Sequence, residues 1–419
     1  MSSFRAPGLP ANSAMLYQAY DSQTDFMSPL RMLVGAVASS LPSVVPEIDA
    51  HHMAKKMSAA YQVFSRARLT HTRPAFGITK VKSGSREIEV TEEAALVLPF
   101  GTLLHFRKDG GGEQPPVLIV APMSGHFATL LRETVRTVLA DHDVYITDWH
   151  NARDVPPDAG PFGFDEYVEH LIAFLGHMGT ETHMMAICQP CVAALAATAI
   201  MSEDKHPACP RSLTLMAGPV DTRVNPTEVN RMATSRPIEW FEQNLICRVP
   251  GRYPGAGRQV YPGFLQLMAF MSMNMDRHVK SFVDLYRYLV EGDTVKADAT
   301  MAFYDEYFAV LDLPAPFFLE TVRTIFQEYA LPLGQLKFRG RTVNPAAIRR
   351  TALLTVEGER DDICAIGQTV AAHDMCTGIR PYLKTHYMQV GVGHYGVFSG
   401  RKWMSGIYPV VREMIQVTR

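Results

Sequence analysis

Short apolar runs and helical patterns alternate through the middle of the chain. The apolar runs cover residues 117–121, 143–148, 183–187 and 212–217. Between them, apolar residues recur at helical spacing over 127–141, 164–178 and 192–201. Strands that are buried on both faces appear in a sequence as continuous apolar runs of about four to eight residues. The pattern therefore predicts βαβ units, in which helices cover both faces of a mostly parallel sheet.

The alternation stops after the fourth run and resumes with two later runs, at 351–356 and 386–390. Residues 222–348 have helical patterns and no convincing buried strand. We therefore predict that 86–221 and 349–419 form one α/β core, and that 222–348 form an inserted helical cap. Such an insertion usually covers the carboxyl ends of the strands, where open α/β sheets bind ligands.

The predicted cap contains a stretch rich in Met and Phe at residues 264–275. Methionine fills irregular apolar gaps and also builds adaptable apolar surfaces. The stretch is therefore either the core of the cap or a wall that faces an apolar substrate.

The region before the core is predicted to be a helical extension, residues 1–85, with helical spacing over 12–75. Two short strands are predicted next, at 87–90 and 102–106. The glycines within 109–112 then supply a turn, because glycine tolerates positive φ.

The composition is that of an ordinary globular protein and argues against nucleic-acid binding and against a membrane span. Of the 419 residues, 47% are hydrophobic and 20% are charged, and the net charge is −2. Nothing in this balance predicts a basic face for nucleic acid. No apolar run approaches the roughly 20 residues that cross a bilayer, and residues 1–10 lack a signal-peptide pattern. We therefore expect no membrane span and a cytoplasmic location.

Cys188 is placed between a predicted buried strand and a predicted helix. A sharp turn of this kind, a nucleophile elbow, exposes a reactive side chain above the sheet. The free N–H groups at the start of the helix favour both a thiolate and an oxyanion beside it. The usual elbow is G-x-S-x-G, so Ala186 and Pro190 depart from it. Taken alone, Cys188 is equally well interpreted as a small buried residue at the end of a strand.

Two later residues favour the nucleophile interpretation. In α/β-hydrolases the acid and the histidine follow the nucleophile in that order, each after a later strand. Here Asp361 follows the first of the two late apolar runs. His394 follows the second run and has glycines close to it on both sides. We choose Asp361 over Asp362, which is better placed to cap the following helix. The order predicts an α/β-hydrolase fold with a Cys188–His394–Asp361 triad.

Backbone N–H groups near the nucleophile are predicted to hold an oxyanion. One is the N–H of Gln189, and the other belongs to the loop after the first parallel strand, at Met123 or Ser124. His126, in the same loop, is either a substrate contact or a residue at the start of a helix.

Cys188 and Cys191 also form a C-x-x-C motif, which suits redox chemistry or a metal site. However, redox motifs of this kind open a small βαβ domain, whereas this one lies in the middle of the sheet. There is no second C-x-x-C, and six cysteines in so long a chain do not suggest a disulfide framework. We interpret Cys191 as a packed helix residue and predict no metal.

Five segments together form a specific pattern. They read VYITDWHNARDVP at 144–156, GFDEYV at 163–168, ICQP at 187–190, EGERDDI at 357–363 and GHYGVFSG at 393–400. In these segments the chain resembles the intracellular polyhydroxybutyrate (polyhydroxyalkanoate) depolymerases of bacteria. The elbow with cysteine is also shared with polyhydroxyalkanoate synthases. The resemblance implies a thiol-dependent depolymerase of cytoplasmic storage granules, with Cys188 as nucleophile, Asp361 as acid and His394 as base.

The implied reaction is acyl transfer through a thioester at Cys188, which releases 3-hydroxybutyrate or short oligomers. No cofactor is implied, although coenzyme A is an alternative to water as the acyl acceptor. A run of basic residues either contacts the phosphates of coenzyme A or forms a solvent-exposed face. The run consists of Lys337, Arg339, Arg341, Arg349 and Arg350. The oligomeric state is left open, with a homodimer as one option.

Three other functions are compatible with the same residues. They are an acyltransferase similar to polyhydroxyalkanoate synthases, a generic cytoplasmic thiol esterase, and a non-catalytic granule-associated protein on a hydrolase fold.

Overall fold

The computed structural model describes residues 16–24, 48–110, 113–273 and 275–419. The strands are β1 (Lys80–Ser83), β2 (Arg86–Leu98), β3 (Gly101–Lys108), β4 (Pro116–Val120), β5 (Asp143–Trp149), β6 (His183–Ile187), β7 (Ser212–Met216), β8 (Cys247–Arg248), β9 (Gln259–Tyr261), β10 (Leu313–Pro314), β11 (Lys337–Phe338), β12 (Arg341–Thr342), β13 (Ala352–Gly358) and β14 (Lys384–Gln389).

The helices are α1 (residues 16–24), α2 (Ile48–Arg66), α3 (Arg132–Leu139), α4 (Phe164–Met178), α5 (Cys191–Glu203), α6 (Glu228–Thr234), α7 (Ile238–Leu245), α8 (Gly263–Met273), α9 (Met275–Glu291), α10 (Thr294–Tyr307), α11 (Ala315–Thr321), α12 (Ala372–Met375), α13 (Gly400–Lys402) and α14 (Tyr408–Val417). Turns of 3-10 helix include Ala128–Leu131 and His394–Val397, and π-helical turns cover Val322–Gln327 and Trp403–Ile407.

Nine strands form one large sheet in the order β1-β2-β3-β5-β4-β6-β7-β13-β14. The pairs from β1 to β5 are antiparallel, and the pairs from β5 to β14 are all parallel. From β2 onward, this is the strand order of the α/β-hydrolase fold. The predicted fold class is therefore confirmed.

Successive residues of the central strands pack on opposite faces of the sheet. In β4, Leu118 and Val120 pack with α4 and α5, whereas Val117 and Ile119 pack with α3 and α14. All four side chains are fully buried. Because side chains alternate between the two faces of a strand, a strand covered on both sides needs apolar residues at every position. This requirement explains the continuous apolar runs in the sequence.

The insertion between β7 and β13 consists mainly of helices α6 to α11. It is rich in helices, as predicted for 222–348, but the prediction that it has no buried strand is wrong. A small antiparallel sheet in the order β10-β9-β8 lies within it, with Val260, Tyr261 and Leu313 buried. These strands are only two or three residues long, so they leave no alternating pattern in the sequence. The domain boundaries themselves stay a prediction.

The amino-terminal region is only partly helical. Of the predicted helical stretch 12–75, residues 16–24 and Ile48–Arg66 are helical, and residues 67–75 are not. The rest of that stretch lies outside the described residues. Strand β1 lies within 1–85, which the sequence assigns to a helical extension, and it pairs with β2 at the edge of the sheet.

Local backbone geometry and long-range hydrogen bonds account for these differences. Gly84 adopts a left-handed φ of +60°, which suits the tight turn that folds β1 back onto β2. The Thr70 N–H donates to the Phe308 carbonyl at 2.9 Å, and the Val310 N–H donates to the Thr70 carbonyl at 2.8 Å. Thr70 therefore makes backbone hydrogen bonds to the insertion and not within a helix. The spacing of apolar residues within 67–75 gives no sign of these long-range hydrogen bonds.

We predict that Val117→Ala lowers the free energy of unfolding by about 2 kcal/mol, because it removes two buried methyl groups and leaves a cavity. Val97 in β2 is 62% exposed, and Val97→Ala serves as the matched control. Its effect should stay within about 0.5 kcal/mol. Urea denaturation measures both, and equal effects would contradict the burial of β4.

Candidate active site

Cys188 lies at the sharp turn between β6 and α5. Its φ of +68° is in the left-handed region that residues other than glycine rarely adopt. The Cys188 N–H donates to the Met216 carbonyl at 2.8 Å, and the Cys191 N–H donates to the Cys188 carbonyl at 3.2 Å. Pro190, which caps α5, has a φ of −71°, close to the value that the proline ring imposes. Proline in place of the usual glycine is therefore compatible with the elbow.

His394 lies between Cys188 and Asp361. Its Nδ1 hydrogen-bonds with Asp361 Oδ2 at 2.8 Å, and its ring interacts electrostatically with the Cys188 side chain. The second carboxylate oxygen of Asp361 accepts two backbone N–H groups of the following loop, at 2.9 and 2.8 Å. Asp362 is exposed instead. The structure thus brings the three predicted residues together, and two backbone N–H groups fix the carboxylate that orients the imidazole.

The surrounding charges favour the protonated form of His394. Burial alone would lower the pKa of His394, but the Asp361 carboxylate and the Cys188 thiolate raise it well above the usual imidazole value. An imidazolium is the partner that stabilises a thiolate. Burial raises the pKa of the nearby Cys191 and Cys364 thiols far above the usual thiol value. These two side chains stay protonated, so of the three neighbouring cysteines Cys188 alone has the setting of a nucleophile.

Backbone amides from two elements lie beside the thiol. Within the described ranges, neither the Gln189 N–H nor the Ser124 N–H has a hydrogen-bond partner. The Met123 N–H, in contrast, donates to Gln189 Oε1 at 3.2 Å. All three residues line the cavity in front of Cys188. Of the two loop residues predicted as oxyanion donors, Ser124 is therefore the one whose N–H is available.

A cavity of about 190 Å³ opens on Cys188. Aromatic side chains of the insertion form much of its wall, among them Phe241, Phe270, Phe317 and Phe326. In the part of the chain that the structure describes, no charged side chain lines it. Such a cavity suits an uncharged and mainly apolar substrate.

The Met- and Phe-rich stretch at 264–275 contributes to both the cavity and the packing of the insertion. Gln266, Ala269 and Phe270 line the cavity, whereas Leu267 is buried in an apolar cluster with residues of α10. One face of α8 therefore packs within the insertion and another lines the cavity, and contact with a substrate stays a prediction.

His126 does not line the cavity. Its ring lies 5.0 Å from the Tyr307 ring and 6.2 Å from the Phe270 ring. Burial lowers the pKa of His126 to about 4, so the imidazole is neutral. The structure places this histidine in the packing between the core and the insertion, which is neither of the two predicted roles.

Two members of the predicted basic run form ion pairs with the core. Arg339 binds Glu166 and Glu169, and Arg341 binds two acidic residues at the end of α5. Both guanidinium groups are half exposed. This arrangement favours the interpretation of the run as a solvated face.

Residues 217–419 match the family model for the PHB de-polymerase C-terminus. The match to the PHB depolymerase family includes Asp361, His394 and all of the insertion, whereas Cys188 precedes it. No curated protein matches the chain.

Several solved structures are similar in part. One is a 2-hydroxy-6-oxo-6-phenylhexa-2,4-dienoate hydrolase from Rhodococcus sp. strain RHA1, 13% identical over 78% of this chain and 99% of that chain, with a TM-score of 0.42. Another is a meta-cleavage product hydrolase from Pseudomonas fluorescens IP01, 13% identical over 81% and 98%, with a TM-score of 0.41. A third is a thermophilic esterase from Thermogutta terrifontis, 12% identical over 81% and 98%, with a TM-score of 0.40.

The described residues form neither a helix that could cross a membrane nor a group that could hold a metal ion. None of their helices combines the length and the apolar character that crossing a bilayer requires. Their His, Cys, Asp and Glu side chains form no group of three or more that could hold a metal ion.

We predict that brief treatment of the native protein with iodoacetamide modifies Cys188 first, ahead of the half-buried Cys209. The Asp361 carboxylate and Cys188 raise the pKa of His394, which favours an imidazolium beside the Cys188 sulfur. In His394→Ala the alkylation of Cys188 at neutral pH should therefore be slower than in the native protein. Peptide mass spectrometry over a time course measures both, and equal rates in the two proteins would contradict a role of His394 in activating the thiol.

Proposed function

We propose that the protein is a thiol-dependent depolymerase that hydrolyses the ester bonds of polyhydroxybutyrate or a related polyhydroxyalkanoate. The observation that carries this proposal is the Cys188–His394–Asp361 arrangement at the mouth of an uncharged apolar cavity. The family match over residues 217–419 supports the choice of a storage polyester as substrate.

The first half of the proposed reaction forms a thioester. His394 holds the proton taken from Cys188, and the Cys188 thiolate attacks the ester carbonyl carbon. The negative charge that develops on the carbonyl oxygen is held by the N–H groups of Gln189 and Ser124. The tetrahedral intermediate then collapses, the carbon–oxygen bond breaks, and His394 gives its proton to the departing hydroxyl end of the polymer. Asp361 holds the imidazole in position and stabilises its charged form.

The second half of the reaction releases the acyl group. His394 removes a proton from water, the resulting hydroxide attacks the thioester, and the proton returns to the Cys188 sulfur. The products are 3-hydroxybutyrate or short oligomers, and no cofactor takes part. Coenzyme A is the alternative acceptor, and it would give a hydroxyacyl thioester. Product analysis with and without coenzyme A distinguishes these two outcomes.

The proposed setting is the surface of amorphous storage granules in the cytoplasm. The granule polyester is then both substrate and binding partner, and neither nucleic acid nor a membrane is required. A homodimer is compatible with this role, and sedimentation of the purified protein would measure its assembly.

Three alternative functions make different predictions. An acyltransferase similar to polyhydroxyalkanoate synthases would form polymer from 3-hydroxybutyryl-CoA, which the proposed depolymerase does not. A non-catalytic granule-associated protein would bind granules and release no 3-hydroxybutyrate. A generic thiol esterase would cleave short soluble esters and leave amorphous granules intact.

We predict that Cys188→Ala and His394→Ala each lower 3-hydroxybutyrate release from amorphous granules by about 10⁴-fold or more, since each removes a member of one catalytic unit. Cys191→Ala should retain most of the activity, because the Cys191 thiol is buried and protonated. Loss of activity at Cys191 with retention at Cys188 would contradict the assignment of the nucleophile.

The two neighbouring acids provide a matched pair of variants. We predict that Asp361→Asn lowers the rate of hydrolysis by at least about 100-fold, because a neutral amide cannot stabilise the imidazolium. Asp362→Asn makes the same chemical change at an exposed position and should leave the rate nearly unchanged. The rate of granule hydrolysis by both variants identifies the acid of the triad. A larger loss of rate in Asp362→Asn would contradict the assignment of Asp361.

A further inference from the structure

The cavity in front of Cys188 contains two buried hydrogen-bond donors that have no acceptor. Thr321, at the end of α11, is 8% exposed, and its hydroxyl has no partner among the described residues. The side-chain nitrogen of Gln189 is also buried and unpartnered there. Both residues line the cavity. Buried polar groups are normally hydrogen-bonded, so such an exception points to a group that binds at this place.

Local contacts leave each of these donors without a partner among the described residues. The side-chain oxygen of Gln189 already accepts the Met123 N–H at 3.2 Å, so its nitrogen is the end without a partner. A threonine in a helix commonly satisfies its hydroxyl on a carbonyl one turn earlier. Thr324 does so with the Glu320 carbonyl at 2.7 Å. Thr321 does not, although it lies on the same stretch of helix.

The chemistry of the cavity selects the kind of molecule that these donors would bind. Its walls are apolar, and the side chains among the described residues that line it carry no charge. A free carboxylate or an amine would have no ionic partner there, and burying such a charge is unfavourable. An ester chain is uncharged, and each repeat unit presents one carbonyl oxygen as an acceptor. Ligand clefts are commonly about 300–1,000 Å³, so the smaller cavity here suits a short stretch of chain.

We infer that the Thr321 hydroxyl and the Gln189 side-chain amide bind ester carbonyls of the polymer next to the bond that is cleaved. The cavity is then specific for a chain of consecutive esters, and not only for an apolar acyl group. This inference rests on the proposed function, since it takes the polyester as the substrate. Thr321 is a binding residue in this account and takes no part in the chemical step.

The test compares a substrate with several esters and a substrate with one. We expect Thr321→Val to raise KM for the methyl ester of the 3-hydroxybutyrate trimer about fivefold, the effect of one lost hydrogen bond. Its kcat and its KM for p-nitrophenyl butyrate should change little. Thr321→Ser, which keeps the hydroxyl, should restore KM for the trimer. Thr324→Val makes the same change outside the cavity and should have no effect.

A binding measurement separates this inference from the proposed function. Calorimetric titration of Cys188→Ala protein with the trimer methyl ester should give a Kd about five times lower than that of Cys188→Ala with Thr321→Val. This result, combined with an absence of hydrolysis by the native protein, would refute the proposed function and leave standing only the binding of consecutive esters by Thr321. Equal Kd values, or equal changes in KM for both esters, would overturn the inference.

Gln189 provides an independent variant. Gln189→Glu keeps an oxygen for the Met123 N–H and replaces the donor nitrogen with a second acceptor. In the Cys188→Ala background it should weaken binding of the trimer methyl ester by at least the factor seen for Thr321→Val. Unchanged binding would remove Gln189 from the proposed pair.

Discussion

The left-handed backbone at Cys188 is the constraint on which the rest of the site depends. A residue other than glycine in this conformation carries strain of about 1–2 kcal/mol, and the surrounding structure must hold it there. A backbone hydrogen bond from Cys188 to Met216 on β7 and the start of α5 together do so. The strained turn places the thiol at the carboxyl end of the sheet, where the loops after β13 and β14 deliver Asp361 and His394.

Much of this arrangement was predictable, because it follows from local sequence and chain order. Apolar runs mark strands that are buried on both faces, and they give the order of the parallel strands along the chain. The positions of Cys188, Asp361 and His394 just after three such strands predict that they meet at one end of the sheet. Pro190 fits for an equally local reason, since its ring imposes the φ that the first turn of the helix needs.

Other features depend on contacts between distant parts of the chain. The two-residue strands of the insertion form only because they pair with one another, and Thr70 is extended because it bonds to residues 308–310. The walls of the cavity come from several helices whose faces meet only after folding. The hydroxyl of Thr321 is notable only because its neighbours leave it without a partner. No spacing rule in the sequence marks any of these features.

In the proposed reaction Cys188 carries the acyl group during hydrolysis. The protein can be mixed with amorphous polyhydroxybutyrate, the reaction quenched in acid during turnover, and the peptides analysed by mass spectrometry. We expect a 3-hydroxybutyryl or oligomeric adduct on the peptide that contains Cys188, located on that residue and removed by hydroxylamine. An adduct on another residue, or turnover with an unmodified Cys188 under conditions that trap acyl-enzymes, would contradict it.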